Sequence, residues 1–103
     1  MANVRILSET ELSQALAELK DWSARERKIE AAFAFKSFRD AIAFIVAVAF
    51  EAEALNHHPD LRNVYNRVSF SLCTHDAGDA VTERDLALAA RISAVARRFQ
   101  SMA

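Results

Sequence analysis

Apolar side chains change spacing repeatedly along this chain, and each change marks a predicted element. Ser8-Glu-Thr-Glu11 is a capping box, and Leu12, Ala15, Leu16 and Leu19 follow at helical spacing, which predicts a first helix over roughly 9 to 20. From Trp22 to Phe35 the period drops to two. Polar Arg25-Glu-Arg-Lys28 separates Trp22 from the alternating Ile29, Ala31, Phe33 and Phe35, the pattern of a hairpin with a charged tip. Ser37 can cap a second helix, with Asp40 where an acid supports the cap. Phe38, Ile42, Ile45, Val46 and Ala49 form a stripe on it. Phe44, Val48 and Phe50 widen that stripe beyond the usual arc, so the helix needs cover on two sides. Pro59 disfavours helical geometry at His58, which ends the helix around 56 to 58.

Leu61 to Cys73 is extended by composition, with Val68, Phe70 and Leu72 alternating against Ser69 and Ser71. A break near Asn66-Arg67 makes this either a second hairpin or one long bent strand. Asp76-Ala-Gly-Asp79 is turn-like. Thr82-Glu-Arg-Asp85 is another capping signature, with Leu88, Ile92, Val95 and Phe99 behind it, and Arg97 and Arg98 suit the negative end of that last helix. The order α-β-β-α-β-β-α predicts an α+β domain, an antiparallel sheet with helices packed on one face. The open sheet edges and the over-apolar second helix point to a homo-oligomer.

The remaining composition mostly excludes. The 103 residues make one domain, 1–103, which buries only about two-thirds of the surface its unfolded chain exposes. A net charge of −1 removes the bulk attraction that nucleic-acid binding relies on. One glycine and one proline leave no phosphate-cradling loop. The single Cys73 cannot form an internal disulfide. The stretch Met1-Ala-Asn-Val-Arg-Ile-Leu-Ser-Glu is too weakly apolar for a signal peptide, and Ala41 to Phe50 is about half a membrane span. The expectation is a cytoplasmic protein with no membrane and no nucleic-acid partner.

All three histidines fall between positions 57 and 75. Glu53 precedes His57 by four residues, so on a continuing helix the two share a face. His57 and His58 stand where Pro59 forces the chain out of the helix, and Thr74-His75 lies where the last strand gives way to a loop. Imidazole both donates and accepts protons near neutrality, and a neighbouring carboxylate fixes its tautomer. Three histidines and Glu53 are thus enough for acid/base elimination with no cofactor. His-His-Pro could equally be a helix-end turn. A metal site from His57, His58, His75 and Glu53 is disfavoured, because adjacent histidines diverge and no His-x-x-x-His pair is present. The phenylalanines Phe33, Phe35, Phe38, Phe44 and Phe50 read as core, and Cys73 as a buried strand residue.

Glu53-Ala-Leu-Asn-His-His-Pro59, then Asn63-Val-Tyr-Asn66, Thr74-His75 and Thr82-Glu-Arg-Asp85, in that order and at that spacing, resemble the pterin-4a-carbinolamine dehydratases over essentially the whole chain. The resemblance implies a four-stranded antiparallel sheet with three helices on one face, assembled as a homodimer or homotetramer. It implies dehydration of a 4a-hydroxytetrahydropterin in tetrahydrobiopterin recycling, with no cofactor and no metal. His57, His58, His75 and Glu53 correspond to the catalytic set. His57 and His75 would move protons, His58 would orient the pterin, and Glu53 would set the imidazole tautomer. Asn56, Cys73, Thr74, His75, Asp76 and Asp85, with His57 and His58, would bind the pterin. The loop 76–82 is a residue longer than the family's compact form. A binding or dimerisation module, as in the family's transcriptional coactivators, or another pterin-related role is the competing reading.

Overall fold

The computed structural model describes residues 5–100; residues 1–4, the start of the stretch read for a signal peptide, lie outside them. The elements are α1 (Glu9–Glu18), β1 (Ser23–Arg25), β2 (Lys28–Ala34), α2 (Phe38–Leu55), β3 (Asp60–Val64), β4 (Arg67–Leu72), a short 3-10 turn (His75–Ala77) and α3 (Glu83–Gln100). This is the α-β-β-α-β-β-α order that the hydrophobic pattern predicts.

Leu61 to Cys73 resolves into a hairpin, not a bent strand. The Asn63 amide donates to the carbonyls of Tyr65 and Arg67, and Tyr65 takes a positive φ, so the chain reverses there. Asn66 then exchanges bonds with Phe35, donating from its side chain and accepting from the Phe35 N–H. That tie pins the second hairpin to the end of β2. β2 and β4 pair antiparallel in the middle of the sheet, in the order β1-β2-β4-β3, with Ile29 opposite Leu72 and Phe33 opposite Val68.

The register puts Ile29, Ala31, Phe33, Val68, Phe70 and Leu72 on one buried face. Ala41, Phe44, Val48 and Ala52 of α2 and Leu88, Ile92, Val95 and Ala96 of α3 complete the core, and Leu12 and Leu16 of α1 pack at its margin. Trp22 closes one end, its indole N–H donating to the Ser93 hydroxyl at 2.9 Å. Among the described residues no helix is long and apolar enough to cross a membrane.

Two of the five phenylalanines read as core are not in it. Phe38 is 50% and Phe50 73% exposed, and with Ile42 and Val46 they form an i, i+4 stripe along the outer side of α2. The helix has two apolar faces, and only the one carrying Phe44 meets the sheet.

Candidate active site

The end of α2 sorts its histidines. Asn56 takes left-handed geometry (φ 50°, ψ 44°), and the N–H groups of Asn56 and His57 both bond back to the Ala52 carbonyl. This is a tight helix stop at a residue type that tolerates positive φ. The reversal breaks the i, i+4 relation between Glu53 and His57. Glu53 instead meets His58, Oε1 to Nε2 at 2.9 Å, with both side chains well exposed. His57 turns inward and is only 9% exposed.

The partner waiting for His57 is Asp85. Its Oδ1 lies 2.6 Å from His57 Nε2, and Asp85 has no exposed surface. Its Oδ2 accepts from the Thr74 hydroxyl and from the Thr82 N–H, each at 2.9 Å. The Thr74 hydroxyl proton is committed to Asp85, so Thr82 Oγ1 is the donor in the 2.7 Å bond between the two threonines. Thr82 Oγ1 also accepts from the Arg84 N–H. The capping signature at the start of α3 therefore serves two purposes. One oxygen of Asp85 caps the helix, and the cap holds the other oxygen toward His57.

With Thr74 and Thr82 donating to Oδ2, Oδ1 is left to accept the Nε2–H of His57. That tautomer leaves Nδ1 as the basic ring nitrogen. Among the described residues no buried side-chain polar atom lacks a partner, as a low-dielectric site requires.

His75 opens the 3-10 turn after Thr74. Its Nδ1 lies 2.5 Å from Asp79 Oδ1, and its side chain is 88% exposed. Gly78 and Asp79 both take positive φ, which folds the loop back to bring Asp79 there. Each histidine thus has one carboxylate partner: Asp85 for His57, Glu53 for His58 and Asp79 for His75. Thr74 joins two of these pairs, since its hydroxyl binds Asp85 and its backbone leads directly into His75.

Thr74 and Asp85 sit behind His57, 2% and 0% exposed, while His58, His75, Asn56 and Asp76 face solvent. Asp76 lies 3.8 Å from Arg84. Cys73 is half-buried; burial pushes its thiol up from the ordinary range, and the Asp79 charge adds to that. Sequence reasoning named Thr82 only as a cap and Asp79 only as part of a turn, and neither as a site residue. Both had a signal, Thr82 as the cap residue three before Asp85 and Asp79 as the acid four after His75. A cleft of about 540 Å³ lies elsewhere, between α1, the β1–β2 tip and Ala80–Val81, and no histidine lines it.

Comparison with known proteins gives the family. The family described as Pterin 4 alpha carbinolamine dehydratase matches residues 5–95. A relative from Opitutus terrae named for pterin-4-alpha-carbinolamine dehydratase is 49% identical over 90 residues, 87% of this chain and 93% of the relative. One of the same name from Nitrobacter hamburgensis is 45% identical over 95 residues, 90% and 93% of the two chains. The crystal structure of a transcriptional coactivator/pterin dehydratase from Brucella melitensis superposes with a TM-score of 0.85 at 38% identity, covering 89% of this chain and 99% of that one. A pterin dehydratase-like protein identified as a RuBisCO assembly factor in the alpha-carboxysome reaches 0.60 at 28% identity, covering 73% and 86%. The chain belongs to the pterin-4a-carbinolamine dehydratase family, a family of hydro-lyases.

Proposed function

We propose that this protein dehydrates 4a-hydroxytetrahydropterin to quinonoid dihydropterin and water, in cytoplasmic tetrahydrobiopterin recycling. The observation that carries the reading is the buried His57–Asp85 pair, because it fixes a tautomer and leaves Nδ1 of His57 for proton transfer. The substrate carries a hydroxyl on a ring carbon beside an N–H. One group takes that N–H proton, the ring closes a C=N bond, and a second group protonates the hydroxyl as it leaves. His57 and His75 fill these two roles. Nδ1 is the working atom of His57 and Nε2 that of His75, the nitrogens not turned to Asp85 and Asp79. His58 orients the pterin, and Glu53 holds His58 by Nε2. Thr74 and Asp85 act through His57. The chemistry asks for proton donors and acceptors only.

The exposed stripe Phe38, Ile42, Val46 and Phe50 supports a homodimer or homotetramer built on α2. The same stripe supports a second reading, a protein-binding module, as does the 28% identical RuBisCO assembly factor. Generating the carbinolamine with an aromatic amino acid hydroxylase and following its ultraviolet decay separates the two. The enzyme reading expects accelerated decay, with His57→Ala and His75→Ala each slower by about 10²–10⁴-fold. Decay at the uncatalysed rate moves the weight to the binding module.

A further inference from the structure

One cluster of ligating side chains lies apart from the His57–Asp85 pair. The thiol of Cys73, the imidazole of His75 and the carboxylate of Asp79 each offer one atom, and these atoms lie within 4.8 Å of one another. β4 ends at Leu72, so Cys73 leaves the sheet beside the 3-10 turn, and positive φ at Gly78 and Asp79 returns the carboxylate to the same spot. A thiol, an imidazole and a carboxylate together suit a zinc-like ion and not magnesium or calcium, which take oxygen ligands only.

In a tetrahedral zinc site the ligand atoms stand about 2.0–2.3 Å from the ion, hence roughly 3.2–3.7 Å from one another. The His75–Asp79 pair is closer than that, at 2.5 Å, so it must spread while the sulfur closes in. Both side chains are largely in solvent, 88% and 63% exposed, so little packing opposes that shift. The charge around Cys73 also suits a cation. Burial is the largest influence on the thiol; among the charges Asp79 is the strongest, Lys28 opposes it, and Asp85 and Asp60 add to it.

We propose that Cys73, His75 and Asp79 bind one zinc-like divalent cation, with the fourth position open to water, and that the bound ion switches the enzyme off. The inhibitory half rests on the role proposed for His75 above. On binding, the ion replaces the thiol proton of Cys73, which leaves to solvent. At His75 the ion displaces the proton that Nδ1 gives to Asp79, and that proton passes through solvent to Nε2. Nε2 then keeps its hydrogen, and the ring can no longer gain and lose a proton during turnover.

The test uses the full-length protein, stripped with a chelator and titrated with Co²⁺, alongside Cys73→Ser and Asp79→Asn. The wild type should bind one Co²⁺ per chain with a sulfur-to-metal charge-transfer band in the near ultraviolet, and Zn²⁺ should displace it. Cys73→Ser should lack the band, and Asp79→Asn should need more Co²⁺ to reach it. Zn²⁺ should lower the wild-type dehydration rate over the range in which it displaces Co²⁺. Cys73→Ser, compared with its own metal-free rate, should be insensitive over that range. Absence of a saturable band in the wild type, or equal Zn²⁺ sensitivity in wild type and Cys73→Ser, overturns the site. A band with an unchanged rate keeps the site and removes His75 from the catalytic pair.

Discussion

Asp85→Asn changes one atom and should remove most of the activity. In the wild type Oδ2 accepts from the Thr82 N–H and the Thr74 hydroxyl at 2.9 Å each, and Oδ1 faces His57 Nε2 at 2.6 Å. A backbone N–H can only donate, so the asparagine oxygen must stay on the Thr82 side. Its NH₂ then confronts Nε2, which has to become an acceptor, and the ring proton moves to Nδ1. The nitrogen that should take a proton already carries one. Losing a positioned general base of this kind lowers kcat by about 10²–10⁴-fold. KM should change little, because Asp85 has no exposed surface with which to touch a substrate. Asp85→Ala is the less informative variant. It strips the acceptor from three buried donors at about 1–3 kcal/mol each, a large share of a typical total of about 5–15 kcal/mol. Single-turnover decay of enzymatically generated carbinolamine gives the rate, thermal unfolding by circular dichroism the folding control, and imidazole nitrogen chemical shifts the tautomer. A folded Asp85→Asn protein with kcat within about threefold of wild type would refute the assignment of Asp85 as the group that orients His57.

Light scattering should return a multiple of 11.5 kDa for the wild type and a smaller particle for Phe50→Glu; burying that exposed ring on assembly is worth about 1–2 kcal/mol per protomer, and an 11.5 kDa wild type at micromolar concentration would dispose of the oligomer. His58→Ala should raise KM more than it lowers kcat, and Glu53→Ala should be a weaker copy of it, because steady-state kinetics then report loss of pterin orientation; a Glu53→Ala defect resembling His57→Ala would restore the sequence-based link between those two residues. Alkylation of Cys73 by iodoacetamide should be slow at neutral pH and accelerate only above the usual thiol range near ~8.5. The sign follows from burial and the Asp79 charge, which both disfavour the thiolate, so a reaction as fast as that of a free thiol at neutral pH would contradict it.

Signals confined to a few neighbouring residues were legible in the chain itself. The capping box at Ser8 and Glu11, the Ser37 cap, the alternation from Ile29 to Phe35 and the Thr82–Asp85 signature each act between residues within four of one another, and each appears as a bond or a buried face. The ordered histidine motif carried the family for the same reason, because its spacing survives without knowledge of the fold. Which partner each histidine meets was a different matter. Glu53 and His57 are four apart, yet one left-handed residue, Asn56, turns the chain so that Glu53 meets His58. The partner of His57 comes from 28 residues away, delivered by the packing of α3 against α2 and by the cap that aims its carboxylate. Helical spacing and apolarity put Phe38 and Phe50 in the core. The direction of α2 over the sheet decides that Phe44 and Val48 are buried while those two rings face outward. Spacing determines which side chains share a face; only the tertiary packing decides what that face is turned toward.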